Sequence, residues 1–180
     1  VQTGDATGWS AAAHRSIDHL KVQERTLAAI AKATRGRDVC EMPAGQYPVI
    51  LEPAAVAGLW AWVLWSLDAK SYTKGTSPFA GKLGQAIVDE RLTLKNHPDH
   101  ADLLVEGFTH DGLPSTASLW IDHGILRQLA YDRFTAKADG INPIPTLEAP
   151  VLSIEGASAQ SIQDLMKNTE RAILVTNFWY

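Results

Sequence analysis

Residues 47–67 read Tyr47-Pro-Val-Ile-Leu51-Glu-Pro53-Ala-Ala-Val-Ala-Gly-Leu-Trp60-Ala-Trp-Val-Leu-Trp65-Ser-Leu67, a short apolar run followed by a longer one. The first five residues predict a short β-strand, because branched apolar residues suit a pleated, half-buried surface. Pro53 predicts the first turn of a helix, where its missing N–H costs no hydrogen bond. We therefore expect a strand over 47–51 and a helix over about 54–69.

The helix predicted over 54–69 is apolar on almost every face. One face has apolar residues at the helical spacing of a stripe that packs on a core: Val56, Leu59, Trp60, Val63, Leu64 and Leu67. The opposite face is scarcely more polar and holds Ala57, Gly58, Ala61, Trp62, Trp65 and Ser66. The apolar run of about 14 residues is shorter than the roughly 20 that cross a bilayer, so the pattern predicts a buried helix. Its three tryptophans could form a stacking platform for a ligand, but packing in the core is the favoured interpretation.

The rest of the chain alternates strand patterns with helix patterns. We expect a helix over 10–35 that is capped by Ser10 or Ser16 and ends at Gly36, and short strands at 87–88 and 92–94. Segments 118–121 and 125–129 flank Asp122-His-Gly124 and predict a β-hairpin with Gly124 in a left-handed conformation. The sequence also predicts a helix over 131–139, followed by an extended proline-rich connection. A further helix is predicted to start at Ser161-Ile-Gln-Asp164, and the run over 172–180 is strand-like. Strands joined by turns, with helices elsewhere, predict an α+β fold: a mixed or antiparallel β-rich domain with packed helices.

The composition argues against several classes of protein. The 180 residues carry 16 basic and 20 acidic side chains, so the net charge is −4 and no basic surface is available for nucleic acid. The single cysteine, Cys40, cannot form an intramolecular disulfide, which favours a reducing, cytoplasmic setting. We expect neither nucleic acid nor a membrane as a partner. The chain lacks an initiator methionine and closes on an apolar run, so we expect it to be part of a longer protein.

One polar motif has the residue types of a metal site. The motif His97-Pro-Asp-His100 places two imidazoles three residues apart with aspartates nearby, a set that would suit zinc or iron. Pro98 disfavours the helix that would bring such ligands together. A solvated turn is therefore the favoured interpretation.

A second polar motif could supply an acid–base pair. His110 is followed by Asp111, and a neighbouring carboxylate can tune a histidine near neutral pH. However, Asp111-Gly112 is also typical of a β-turn, which we favour. The residues alone therefore give no convincing catalytic arrangement.

Five short motifs follow one another along the chain, namely 45–53 with 75–84, Asp111-Gly-Leu-Pro114, His123-Gly-Ile-Leu126, Tyr131-Asp-Arg-Phe-Thr-Ala136 and the run from Thr169 to Tyr180. In content and order they resemble the TldD/PmbA (TldE) family, whose members are also called modulators of DNA gyrase. The resemblance covers about residues 10–180. It implies that 1–45 are the end of an N-terminal domain with a connecting helix. It also implies that 46–180 form the first part of a β-rich C-terminal domain.

The resemblance also implies where a metal site would lie. In the TldD branch, an HExxxH motif on the helix after this strand holds zinc, and its Glu can serve as general base. Here those positions fall at about Ala61, Trp62 and Ser66, which can neither bind zinc nor accept a proton from zinc-bound water. The chain is therefore similar to the PmbA/TldE branch, which lacks the motif and pairs with a TldD-type subunit.

These observations predict a non-metal, TldE-like subunit of a heteromeric zinc metallopeptidase, a heterodimer active in proteolysis of small or unfolded peptides. We expect no catalytic residue or cofactor in this chain, and zinc in the TldD-like partner subunit; a homologous protomer is the other possible partner. Strand edges at the hairpin and the 111–114 turn could accept a peptide or a partner, which singles out His110, Asp111, Gly112, Pro114, His123 and Gly124. Two alternatives stay open: an autonomous metal-dependent peptidase or hydrolase that uses His97 and His100, and a non-enzymatic interaction scaffold.

Overall fold

A computed structural model describes residues 1–157 and 160–178, which divide into two compact units. The first unit comprises residues 1–45 with 100–104, and the second comprises 46–99 with 105–180. The prediction that 1–45 end a preceding domain stays a prediction. Residues 158, 159, 179 and 180 lie outside the description, so the predicted run over 172–180 can be followed only to residue 178.

The first unit contains a two-stranded ribbon and one α-helix. Strands β1 (Gln2–Thr3) and β2 (Ala6–Thr7) pair antiparallel, and a 3-10 turn over Ile17–His19 precedes helix α1 (Val22–Arg35). The helix predicted over 10–35 is therefore correct only in its second half. Lys21 stands before α1 in a left-handed conformation (φ 49°), which breaks the helical path, and the Ser16 side chain makes no capping hydrogen bond. The predicted end is confirmed, because the Gly36 N–H donates to the Lys32 carbonyl.

The second unit carries the remaining elements, which confirm an α+β fold of mixed sheets and helices. In chain order they are β3 (Val49–Leu51), α2 (Pro53–Trp65), α3 (Ala69–Thr73), β4 (Leu92–Asn96), β5 (Ser118–Asp122), β6 (Ile125–Leu126), α4 (Arg133–Asp139), β7 (Pro150–Ile154), α5 (Ile162–Asn168) and β8 (Ile173–Val175). Strands β3 and β8 pair in parallel, and the larger sheet has the antiparallel order β6-β5-β4-β7. The capping box predicted at Ser161 and Asp164 opens α5.

Strand β7, which the sequence did not predict, begins at Pro150, the last proline of the expected extended connection. It pairs with β4 along its whole length, from Leu92 opposite Ile154 to Asn96 opposite Pro150. A proline is tolerated as the first residue of an edge strand, because that position does not require its N–H. The Asn96 side chain fixes the junction: its amide donates to the Thr116 carbonyl at 2.8 Å, and its carbonyl accepts from the Ala149 N–H at 2.8 Å.

Helix α2 begins at Pro53 as predicted, but it ends at Trp65, and only some of its large side chains are packed on the core. Trp60 and Leu64 contact the core formed by Leu67, Ala69, Leu94, Trp120, Ile121, Leu126, Leu129 and Ala130. Trp62 and Trp65 are instead 48% and 71% exposed. The prediction of a buried helix with all three tryptophans in the core is thus wrong for these two. The physical reason is that the helix turns Trp60 and Leu64 toward the core, so Trp62 and Trp65 lie on a different face.

Candidate functional site

The loop over 109–114 is a compact turn closed by its own backbone. The Gly112 N–H donates to the Thr109 carbonyl at 2.9 Å, and the Thr109 N–H donates to the Leu113 carbonyl at 2.8 Å. Gly112 has φ of +74°, a left-handed conformation that glycine adopts without steric cost. The buried Thr109 hydroxyl donates to the Asp111 carboxylate. The predicted β-turn is confirmed, and Asp111 is hydrogen-bonded by Thr109, with no such contact to the exposed His110 among the described hydrogen bonds.

Arg133 of α4 anchors this turn. Its Nε donates to the Asp111 carbonyl at 3.0 Å, and its Nη2 donates to the Gly112 carbonyl at 3.3 Å. Asp132 opens the same helix by accepting from the Thr135 N–H, and that hydrogen bond lowers the pKa of the Asp132 carboxyl. Two motifs that are 20 residues apart in the sequence are therefore one structural unit, a link that the sequence does not reveal.

The hairpin between β5 and β6 presents His123 at its tip. His123 and Gly124 both have positive φ (45° and 79°), which confirms the predicted turn at Gly124. The His123 Nδ1 lies 3.4 Å from a Glu155 carboxylate oxygen, and its Nε2 lies 3.9 Å from Asp122. The imidazole is exposed between two carboxylates, a surface position suited to contact rather than to covalent catalysis.

The edge of this hairpin is not open to a peptide. Residues 84–88 run along β6: the Leu126 N–H donates to the Gln85 carbonyl, the Gly84 N–H donates to the Leu126 carbonyl, and the Ile87 N–H donates to the Gly124 carbonyl. The strand expected at 87–88 is this segment, which makes only an isolated bridge, Ala86 with Ile125. Addition of a peptide strand to the hairpin edge is thus ruled out by occupied backbone groups. Contact through the tip or through the 111–114 turn stays a prediction.

The His97 and His100 motif follows the end of β4 and forms the turn favoured from the sequence. His97 is exposed and His100 is half-buried. Across residues 1–157 and 160–178, no three His, Cys, Asp or Glu side chains gather in a group that could hold a metal ion. The geometry therefore gives no support to a hydrolase built on these two histidines.

Helix α2 is the place where the resemblance puts the metal motif of the TldD branch. The Ser66 hydroxyl donates to the Trp62 carbonyl at 2.8 Å, so it serves the end of the helix. Trp62 and Trp65 meet edge to face with ring centroids 5.1 Å apart. Sequence reasoning missed one feature beside them, a pocket that Trp65 shares with Asp68 and Glu148. Glu148 lies two residues before β7, a strand that the sequence did not predict.

None of the helices in the described part of the chain is both long enough and apolar enough to span a bilayer. Helix α2, the most apolar of them, has 13 residues.

Comparison with known proteins places these features in a family. Residues 44–180 match the PmbA/TldA metallopeptidase C-terminal domain. No significant match was found among curated proteins. Three solved structures share the fold. A candidate modulator of DNA gyrase from Thermotoga maritima has a TM-score of 0.77 and 23% identity over 91% of this chain and 40% of that one. A second, from Bacteroides thetaiotaomicron, has a TM-score of 0.80 and 21% identity over 93% and 38%. TldE from Thermococcus kodakarensis has a TM-score of 0.77 and 23% identity over 98% and 43%.

The present chain spans about two fifths of the length of each of these relatives. At such identities the structural likeness establishes the fold, whereas the family is established by the domain match, which covers most of the chain. The family resemblance drawn from the five motifs is therefore confirmed. The chain belongs to the PmbA/TldA (TldD/TldE) metallopeptidase family, and its residues 44–180 match the C-terminal domain of that family.

Proposed function

We propose that this chain is part of a TldE-like, metal-free subunit that pairs with a zinc-bearing TldD-type subunit to degrade small or unfolded peptides in the cytoplasm. The observation that carries the proposal is the chemistry of α2. The positions that correspond to the zinc motif hold Ala61, Trp62 and Ser66. An alanine and an indole offer no metal ligand, and the Ser66 hydroxyl donates to the Trp62 carbonyl.

The exposed face of α2 supports the pairing with another subunit. Leu59, Trp62 and Trp65 follow one another at three-residue spacing and are 41%, 48% and 71% exposed. Aromatic residues are enriched at the centres of protein interfaces, and a cluster of large apolar side chains in water marks such a surface. In this proposal, α2 meets the metal-bearing subunit, and the His123 tip and the 111–114 turn contribute peptide or partner contacts.

The proposal is tested by co-expression of the full protein with a TldD-type homologue that carries HExxxH. We expect the two to co-purify and to hold zinc that is lost when the histidines of the homologue are replaced. The Trp62→Ala variant should weaken the association, because it removes exposed apolar surface. Phe134→Ala is the matched control, since Phe134 is 79% exposed on α4, a different helix.

Two results would contradict the proposal. Tight one-to-one zinc in this protein alone, with activity that chelation abolishes, would make it an autonomous metalloenzyme. Failure of any TldD-type homologue to co-purify would instead favour a scaffold without a link to proteolysis.

A further inference from the structure

We propose that a pocket beside α2 binds the cationic side chain of a lysine or an arginine in a peptide. The pocket encloses about 340 Å³ and lies wholly within the second unit. This volume is near the lower end of the range for ligand pockets, about 300–1,000 Å³, so it suits one side chain better than a large molecule. Its residues come from this chain alone, so binding can be tested on the chain without a second subunit.

Much of the lining of the pocket is apolar. Trp120, which is 1% exposed, lines it together with Leu64 and Ala130. Trp65 also lines it and is 71% exposed, so its indole is accessible to a ligand. An indole face attracts a cation through its quadrupole, and the methylene stem of lysine or arginine packs well against apolar atoms.

Two carboxylates lie in the lining of this apolar pocket. One oxygen of Asp68 accepts from the Ser71 N–H and hydroxyl, and one oxygen of Glu148 accepts from the Thr146 hydroxyl. Each carboxylate keeps its second oxygen for a further donor. Within the described residues, neither Asp68 nor Glu148 forms an ion pair within 4 Å. The negative charge of the pocket is therefore not neutralised by a neighbouring lysine or arginine.

These features together select an occupant with an apolar stem and a cationic end. An anionic ligand would meet two like charges, and a purely apolar side chain would desolvate the carboxylates without a compensating bond. A lysine or arginine side chain satisfies both parts of the pocket, because its stem lies on the indoles while its head reaches Asp68 and Glu148. Lysine and arginine share this chemistry, and the probes below separate them.

The test follows the tryptophan indole N–H resonances of the full 180-residue chain by NMR during titration. The probes are N-acetyl-lysine amide, N-acetyl-arginine amide and, as the uncharged analogue of the same stem, N-acetyl-norleucine amide. We expect saturable shifts of the Trp65 resonance, identified by its absence in Trp65→Ala, with one or both cationic amides. The norleucine amide should bind at least about tenfold more weakly, which corresponds to one charge-assisted hydrogen bond.

A pair of charge variants separates pocket binding from general attraction to an acidic protein. Glu148→Gln should weaken binding of the cationic amide about three- to tenfold, since it removes one carboxylate from the pocket. Glu106→Gln removes the same charge from an exposed loop outside the pocket and should leave the affinity unchanged. Equal losses in the two variants, equal affinity for norleucine amide, or no saturable shift with either cationic amide would each overturn the proposal.

Discussion

Gly124 combines a left-handed backbone conformation with close contacts to neighbouring backbone atoms, so an added methyl group is poorly tolerated there. Its φ of +79° is left-handed, and a Cβ built there would lie 2.5 Å from the Val88 carbonyl oxygen and 3.0 Å from that of Asp89. Both are backbone atoms of the segment that covers β6, so no side chain can rotate away. The Gly124 N–H also donates to the Leu92 carbonyl, and its carbonyl accepts from the Ile87 N–H. Any shift that relieves the contact therefore strains these two hydrogen bonds.

The cost of Gly124→Ala follows from two separable effects. A residue with a Cβ in the left-handed conformation costs roughly 1–2 kcal/mol. Displacing a packed backbone to make room for a methyl group costs about 1–3 kcal/mol more. We therefore expect the free energy of unfolding to fall by about 2–5 kcal/mol, a large share of the stability of an ordinary domain.

Gly81→Ala provides the matched control for the conformational part. Gly81 has φ of +76°, yet its added Cβ would meet no heavy atom within 4 Å. The effect of alanine on the unfolded chain is the same at both positions and cancels in the comparison. Urea unfolding of both variants, followed by circular dichroism at equal m-values, should show Gly124→Ala less stable than Gly81→Ala by about 1–3 kcal/mol. Equal losses would refute the packing argument and leave only the cost of the left-handed conformation.

Two further predictions concern α2 and α4. Trp60→Ala should lower the free energy of unfolding by about 3 kcal/mol because Trp60 packs on the core, whereas Trp62→Ala should cost less than about 1 kcal/mol; similar urea midpoints for the two variants would contradict this. The hydrogen bond from the Thr135 N–H lowers the pKa of the Asp132 carboxyl from its ordinary 3.8. The ionised Asp132 therefore stabilises the fold fully above pH 3.8, and this stabilisation is lost as the pH falls through the lower pKa of the folded state. Asp132→Asn keeps a capping oxygen without this titration, and its urea midpoint should therefore fall less than that of the parent between pH 6 and pH 3; parallel declines would count against the argument.

The elements that local chemistry determines could be predicted from the sequence. Pro53 starts α2, Gly36 ends α1 and the Asp122-His-Gly124 turn forms as expected. In each case the signal lies within a few residues of its effect: the fixed φ and missing N–H of a proline, a glycine at the end of a helical pattern, or a left-handed turn. The capping box at Ser161 belongs to the same class.

Features that depend on distant partners could not be predicted in this way. Strand β7 forms because β4 offers a ladder of hydrogen bonds to a segment that begins with Pro150, and the prolines before it suggested only an extended connection. The anchoring of the 111–114 turn by Arg133 likewise joins two motifs through space. The pocket lined by Trp65, Asp68 and Glu148 brings Glu148 beside residues that are far from it in the sequence, so no local pattern could indicate it.

Helix α2 shows why an apolar sequence alone cannot assign a face to the core. When hydrophobic residues surround a helix, any rotation about its axis buries a similar apolar area, so the pattern does not select an orientation. The neighbours select the orientation: Trp60 and Leu64 pack on the core, whereas Trp62 and Trp65 stay 48% and 71% exposed. Leaving two indoles exposed forgoes stabilisation that burial would supply. A partner that covers Trp62, or a ligand that stacks on Trp65, would recover part of this stabilisation. The proposed subunit contact and the proposed cation site therefore both depend on exposed indoles of α2. If Trp62→Ala and Trp65→Ala each left partner binding and cation binding unchanged, that link between the exposed indoles and function would fail.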